Sequence, residues 1–211
     1  DVSKTTANDY FHYWLPILRD LLPSSILEEW QRLMKDDEFV KELLTSHELL
    51  VDSFEQGRER PTDYEVQKKY FSGKRQKHTF KNQVISLPKG NDIVDVVVGE
   101  RGPEADINLL RKQQKRLSKN QKFKGDKAYI SADHTTTPHK KKKNQKLTPS
   151  QKEENRKISQ ERIYIEHLIR VVKIFRSASE RFRLNPDRYQ SVILVVLGLI
   201  RLRLGTLRFS F

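Results

Sequence analysis

The stretch Arg162-Ile-Tyr-Ile-Glu166-His-Leu-Ile-Arg-Val-Val-Lys173 predicts a helix with one buried face. Arg162 lies four residues before Glu166, so the two side chains share a face one turn apart. Lys173 lies two turns beyond Glu166 and returns to nearly the same side. The stretch by itself leaves two interpretations open, an exposed ladder of ion pairs or a helix that carries a carboxylate into an active site. The apolar residues recur at steps of three and four, as one helix face requires; they are Ile165, Leu168, Ile169 and Val172.

Length and charge narrow the class of protein. The 211 residues suffice for one sizeable domain with a small appendage. Forty-one Lys and Arg residues against 28 Asp and Glu residues leave a net charge of +13. This balance favours a polyanionic partner, with nucleic acid first, although a merely soluble basic protein has the same signature. The chain starts at Asp1 without an initiator methionine, so we expect a fragment or a truncated reading frame.

The composition also excludes several kinds of site. There are no cysteines, which excludes disulfides, thiolate zinc sites, iron–sulfur clusters and cysteine nucleophiles. The longest uncharged apolar run, residues 192–200, falls far short of the ~20 residues that a membrane-spanning helix needs. No basic segment followed by an apolar one opens the chain, as it would in a signal peptide. We therefore expect a cytoplasmic protein without a membrane segment.

Residues 1–46 predict a small helical part. Ser3 stands where a helix N-cap is expected, ahead of a polar turn and several aromatic residues. This pattern resembles the entry to the second helix of a helix-turn-helix, and a plain amphipathic helix explains it equally well. Pro16 and Pro23 predict breaks, and residues 27–44 predict one or two further helices. On the helix-turn-helix interpretation, the DNA contacts include Lys4, Thr5 and Thr6.

Residues 47–211 predict one α/β (α+β) domain, a mixed sheet flanked by helices. The first three strands are joined by tight connections, which favours an antiparallel meander. A helix at residues 104–116 separates the third strand from the fourth, and the chain is helical from residue 149 almost to its end. The predicted strands are residues 49–52, 78–87, 93–98, 123–130 and 135–143.

Two carboxylates are expected at strand ends. Asp52 closes the predicted first strand and Asp126 the fourth, so both emerge at one edge if these strands are neighbours. Glu166 on the long helix can then face them. Carboxylate oxygens are the ligands that Mg²⁺ or Mn²⁺ prefer. Two such ions, roughly 3.5–4 Å apart, can clamp the attacking and leaving oxygens of a phosphodiester. In a basic chain, this pattern predicts metal-dependent chemistry on a polyanion.

Four motifs carry a resemblance to a known family. They are Val51-Asp52-Ser53, Gly102-Pro103-Glu104-Ala105-Asp106, Gly125-Asp126-Lys127-Ala128-Tyr129 and Arg162-x3-Glu166-x6-Lys173. With the order of elements, they resemble the ribonuclease-H-like catalytic domain of DDE transposases, and in particular bacterial insertion-sequence transposases related to Harbinger elements. The resemblance covers nearly the whole chain. The related signature also has a tyrosine three residues before the arginine, where this chain has Ser159.

The resemblance implies roles for particular residues. Asp52 is the first metal-binding carboxylate and Glu166 the last. Asp126, which ends a strand, is the preferred middle ligand. Asp106 is its rival, and could instead cap the start of a helix.

The resemblance also implies cofactors and partners. It implies two Mg²⁺ or Mn²⁺ ions, and Arg162 and Lys173 as residues that contact phosphates or orient the glutamate. The partners are double-stranded DNA, as the element's terminal inverted repeats and as target, and further copies of the chain assembled on DNA near the nucleoid. The activity is metal-dependent cleavage at element ends followed by strand transfer. Two alternatives stay open: a truncated, inactive remnant that only binds DNA, and a nuclease for RNA–DNA hybrids.

Two basic clusters predict contacts with the phosphate backbone, with solvated loops as the alternative. Their candidate residues are Lys74, Arg75, Lys77, Lys140, Lys141, Lys142 and Lys143.

Overall fold

The computed structural model describes residues 2–34, 38–141 and 146–207. The helices are α1 (Lys4–Leu21), α2 (Ile26–Met34), α3 (Glu38–Leu44), α4 (Tyr64–Tyr70), α5 (Asp106–Gln114), α6 (Pro149–Val172), α7 (Arg176–Ser179) and α8 (Tyr189–Leu204). The strands are β1 (Glu48–Gly57), β2 (Phe71–Ser72), β3 (Lys77–Ser86), β4 (Ile93–Arg101), β5 (Lys122–Lys124) and β6 (Thr135–Thr136).

The strands form one mixed sheet, as predicted. β3 lies antiparallel to both β1 and β4, which confirms the predicted meander. On its other edge β1 runs parallel to β5, and β5 runs parallel to β6. β2 pairs only with the first two residues of β3. β1 therefore joins the antiparallel part of the sheet to the parallel part.

Each face of the sheet carries its own hydrophobic core, because successive side chains of a strand point to opposite faces. Leu50 and Phe54 of β1 belong to one core, together with the buried residues of α6 and α8. Leu49 and Val51 belong to the other, together with residues of α2, α3 and α5. The sheet thus separates α6 from α5.

The periodicity of α6 is confirmed. Thr148 and Gln151 form a capping box at its start, which satisfies backbone N–H groups that the helix leaves free. The helix ends at Val172, and Lys173 is the C-cap residue. Its buried side chains, which hold it on the sheet, are Ile158, Ile165, Leu168, Ile169 and Val172.

The predicted break at Pro16 is wrong, because α1 continues through this residue to Leu21. A proline inside a helix costs about 3 kcal/mol. Leu15 is buried in the core that includes α8, and this packing offsets the cost. The proposed division of the chain after residue 46 stays a prediction. Within the described ranges, no helix is long and apolar enough to cross a membrane.

Candidate active site

Asp52 does not close its strand as expected; it lies in the middle of β1. The prediction was wrong because β3 is ten residues long and pairs with β1 as far as Gly57. The parallel neighbour β5 ends much earlier, at Lys124, which pairs with Leu50. Asp52 lies two residues beyond this last parallel pair, and Asp126 lies two residues beyond it on the other chain segment. The shortness of β5 therefore leaves the two aspartates level with each other.

A tight turn fixes Asp126. The short strand predicted within residues 123–130, around Gly125–Tyr129, lies earlier in the chain, at Lys122–Lys124, and a 3₁₀ turn at Lys127–Tyr129 follows it. The Ala128 N–H donates to Asp126 Oδ1 at 2.8 Å. A Cβ atom at Gly125 would lie 2.6 Å from Cδ2 of Tyr129, closer than real Cβ contacts, so only glycine fits here. The Gly-Asp pair in this motif thus has a packing reason.

Arg162 joins the sheet to α6. Its Nη2 atom lies 3.6 Å from Asp52 Oδ2 and 3.6 Å from Glu166 Oε1. The Asp52 side chain is 19% exposed and the Glu166 side chain 46% exposed, so the second reaches further into solvent. The pairing of Arg162 with Glu166 follows from their helical spacing. The contact of Arg162 with Asp52 is a tertiary contact, which helical spacing does not predict.

The three carboxylates act on one another. The pKa of Asp52 is raised to about 6, chiefly by burial and to a smaller extent by the charges of Asp126 and Glu166. The Ser53 N–H, which donates to Asp52 Oδ1 at 2.8 Å, and the Arg162 guanidinium both lower this pKa. The charge of Arg162 therefore compensates the repulsion between the three carboxylates only in part.

The donor chemistry of this site fits hard divalent cations. Carboxylate oxygens are the preferred ligands of Mg²⁺ and Mn²⁺, and such an ion would relieve the repulsion that raises the pKa of Asp52. The three carboxylates are not close enough together to form a complete coordination site. In the part of the chain that the structure describes, no three His, Cys, Asp or Glu side chains stand close enough to hold a metal ion.

A second cation, Lys173, lies near Asp52, and Arg75 lies near Lys173. Lys173 Nζ is 5.6 Å from the centre of the Phe54 ring. Burial lowers the pKa of Lys173, the charge of Arg75 lowers it further, and the charge of Asp52 raises it. Arg75 belongs to the turn between β2 and β3, so the structure places one residue of a predicted basic cluster near Lys173.

Burial and the charges of Asp106, Asp52 and Asp126 all raise the pKa of Tyr129, so Asp106 lies near the other two aspartates but has partners of its own. Its Oδ1 atom accepts a hydrogen bond from Ser53 Oγ at 2.7 Å and lies 3.0 Å from Lys81 Nζ. Ser53 and Asp52 are consecutive in β1, so their side chains point to opposite faces of the sheet. The alternative that Asp106 caps α5 is wrong, because Ala105 occupies the N-cap position and no side chain caps this helix. Asp106 instead ties α5 to the sheet through Ser53 and Lys81, two contacts that the sequence did not indicate.

Comparison with known proteins identifies the family. Residues 51–201 match the DDE superfamily endonuclease family. The chain belongs to this family. It is also 38% identical over 157 residues to the probable transposase for insertion sequence element IS702 of Microchaete diplosiphon. This alignment covers 71% of the chain and 56% of that protein, so the chain spans about half the length of its curated relative. No solved structure matches the chain significantly.

A lysine that sequence reasoning missed holds α6 in place. Lys124 of β5 is 8% exposed. Its Nζ atom lies 2.7 Å from Glu48 Oε2 and also pairs with Glu161, the residue before Arg162. Lys124 thereby links two strands to the helix that carries Arg162. The signal available in the sequence was a lysine within a short, mostly buried strand, which indicates a buried ion pair.

The remaining predicted DNA contacts lie on other elements. Three are in the first turn of α1, where the Thr6 N–H donates to Ser3 Oγ at 3.1 Å in the predicted cap. Lys140 and Lys141 are exposed beyond β6. The residues in the first turn of α1 are Lys4, Thr5 and Thr6. Lys74 and Lys77 are exposed in the β2–β3 region. Lys142 and Lys143 lie outside the described residues.

Proposed function

We propose that this chain is the catalytic part of an insertion-sequence transposase, which cleaves DNA at the ends of an element and joins the freed ends to target DNA. One observation carries the proposal. Asp52 stands level with Asp126 at the end of β5 and is joined through Arg162 to Glu166. Membership in the DDE superfamily and the likeness to a probable transposase support it.

In this proposal, Asp52, Asp126 and Glu166 hold two Mg²⁺ or Mn²⁺ ions, and Asp106 is not a ligand. Asp126 is favoured over Asp106 because Asp106 lies against Ser53, on the face of β1 away from the Asp52 side chain. When bound, such ions activate water and compensate the negative charge of the phosphate.

Three cationic side chains of the chain have proposed roles beside the carboxylates. Arg162 positions Asp52 and Glu166 by its contacts with both. The Nε atom of Arg162 is buried and has no hydrogen-bond partner in the described ranges. Lys173 puts a positive charge near Asp52, and Arg75 puts another near Lys173, where a phosphate group of DNA would enter. Together they draw the polyanion to an acidic site.

The reaction then has two stages. In the first, water attacks the phosphorus atom at an element end, the bond from phosphorus to the 3′-oxygen breaks, and a 3′-hydroxyl and a 5′-phosphate result. In the second, that 3′-hydroxyl attacks a phosphodiester of the target strand, whose own 3′-oxygen leaves. Neither stage forms a covalent bond to protein, so no side-chain nucleophile is needed.

The proposed partners are double-stranded DNA, as terminal inverted repeats and as target, and further copies of the chain assembled on DNA. The net charge of +13 supports a DNA partner. The nucleoid is the proposed place of action.

The test compares four conservative variants: Asp52→Asn, Asp126→Asn, Glu166→Gln and Asp106→Asn. Three measurements are made on each: nicking of a supercoiled plasmid in Mg²⁺, Mn²⁺ binding by titration calorimetry, and binding of a DNA duplex by fluorescence anisotropy. We expect the first three variants to lose nicking and Mn²⁺ binding while they keep DNA binding. Asp106→Asn should keep Mn²⁺ binding. Loss of Mn²⁺ binding in Asp106→Asn, with retention in Asp126→Asn, would reverse the assignment.

Two outcomes for the wild-type protein would refute the function itself. DNA binding without nicking in Mg²⁺ or Mn²⁺ would indicate a remnant that only binds DNA. Faster cleavage of an RNA–DNA hybrid than of duplex DNA would indicate a hybrid nuclease. Joining of a 3′-hydroxyl oligonucleotide to plasmid DNA would support the transposase.

A further inference from the structure

Two sets of positively charged residues lie on α5 and in the segment just after it. Arg111 and Lys115 are one helical turn apart, and Lys119 follows at the same spacing beyond the helix end. Lys112 and Arg116 are offset from them by one residue. Residues offset by one position along a helix point about 100° apart. The two sets therefore meet different surroundings.

Only one of these sets is compensated by carboxylates. Lys112 Nζ lies 3.1 Å from Glu100 Oε1, and Arg116 pairs with buried Asp95. In the described ranges, no carboxylate forms an ion pair with the other set, Arg111, Lys115 and Lys119. Glu100 and Asp95 thus compensate the charges of Lys112 and Arg116. The three positive charges of the other set have no carboxylate partner among the described residues.

The uncompensated set borders a groove. Arg111, Lys115 and Lys119 line a cavity of about 710 Å³ with an apolar floor that includes Leu117 and Phe123. A second cavity of about 710 Å³, which shares His134 with the first, adds Lys122 and His47. Among the described residues that line the two cavities, the acidic side chains are Asp133 and Glu48, and Glu48 already pairs with Lys124. The groove is therefore basic along its length.

This groove lies at the opposite end of β5 from the carboxylate site. It reaches Lys122, the first residue of β5, whereas Asp126 follows the last residue of the strand. The four residue steps from Lys122 to Asp126 span roughly 13 Å of extended chain. Lys173, which lies near Asp52, and Arg75, which lies near Lys173, belong to other elements. A DNA segment in the groove is thus not the segment whose phosphodiester is cut.

We propose that Arg111, Lys115 and Lys119 bind the phosphate backbone of double-stranded DNA in this groove, as a second DNA contact apart from the carboxylate site. The choice of DNA as partner rests on the proposed function. The ligand chemistry is the duplex phosphate backbone, which carries one charge per about 1.7 Å of helix axis. It has two possible sources, a further segment of the DNA that enters the active site or a second duplex.

The experiment measures DNA affinity as a function of salt in EDTA, where no cleavage occurs. The variant Arg111→Gln/Lys115→Gln/Lys119→Gln removes three charges. A matched control removes three charges from exposed arginines on and next to α8, which belongs to the other face of the sheet: Arg183→Gln, Arg188→Gln and Arg203→Gln. The probes are duplexes of about 15 and about 45 base pairs, roughly 50 and 150 Å long at 3.4 Å per base pair.

Each phosphate contact adds about 0.9 to the slope of log affinity against log salt, so loss of three contacts should lower it by about 2.7. A fall with both duplexes means that the groove binds a duplex by itself, the second-duplex source. A fall with the long duplex alone means that it holds a further segment of the same DNA. A slope within about 0.5 of the wild-type or control value for both duplexes would overturn the proposal.

A separate measurement keeps this proposal apart from the proposed function. Plasmid nicking in Mg²⁺ is recorded for the wild-type protein and for the triple variant. A lowered slope with an inactive wild-type protein would support the groove and refute the nuclease function. Normal nicking by both the wild-type protein and the triple variant, with an unchanged slope, would support the nuclease function and refute the groove proposal.

Discussion

A buried arginine joins the helical N-terminal residues to the rest of the chain, and its removal is the sharpest test of the fold. Arg201 of α8 is fully buried. Its guanidinium makes two hydrogen bonds to Asp92, at 2.7 and 2.9 Å, and one to Glu29 of α2 at 2.7 Å. It also donates to the Pro23 carbonyl at 3.1 Å. The perturbation is Arg201→Met, which keeps the apolar stem and removes the charge.

The expected cost follows from the burial of all three charged groups. Asp92 is 5% exposed and Glu29 is 6% exposed, so both carboxylates stay away from water when the arginine is lost. Removal of one partner from a buried ion pair costs about 3–5 kcal/mol. In a protein of this size, each kcal/mol lowers the Tm by about 2–4 °C, so the variant should melt about 6–20 °C lower.

The assay is thermal unfolding followed by circular dichroism, with Arg203→Met as the control. Arg203 lies two residues further along α8 and is exposed, so its loss should change the free energy of unfolding by no more than about 0.5 kcal/mol. If Arg201→Met melts within about 2 °C of the wild-type protein, the buried network does not stabilise the fold and the reasoning is refuted.

Three further predictions concern the elements that carry the site. Gly125→Ala should lower the free energy of unfolding by about 1–3 kcal/mol in a urea titration and reduce plasmid nicking, because the new methyl group meets the Tyr129 ring; unchanged stability would contradict this. Lys124→Met should reduce nicking at unchanged DNA affinity, because α6 loses its ion pair to the sheet, and Lys124→Arg should restore most of the activity. Ile165→Ala should cost about 2–5 kcal/mol because Ile165 is fully buried, whereas the same change at exposed Ile163 should cost less than about 0.5 kcal/mol.

Local patterns in the sequence predicted much of the fold. The three- and four-residue spacing of Ile165, Leu168 and Val172 predicted the buried face of α6, because helix geometry alone brings such residues to one side. Alternating and β-branched runs likewise predicted β3 and β4. In each case the interactions that fix the element lie within a few residues.

The sequence predicted less where distant partners set the local structure. The first strand was predicted to stop at Asp52, but pairing with β3 extends it to Gly57. A helix break was predicted at Pro16, but packing of Leu15 in the core with α8 keeps α1 continuous. Local propensity was overridden in both cases by contacts with residues far along the chain.

The candidate site divides in the same way. The sequence by itself determined the family and the single turn that separates Arg162 from Glu166, and it predicted which carboxylates form the candidate site. Tertiary structure alone decided that Arg162 also meets Asp52, that Asp126 stands level with Asp52, and that Asp106 lies against Ser53 on the other face of β1. The physical reason is that helical spacing is a property of neighbouring residues, whereas the register of β1 with β5 and the docking of α6 depend on contacts between residues 74 and 110 positions apart.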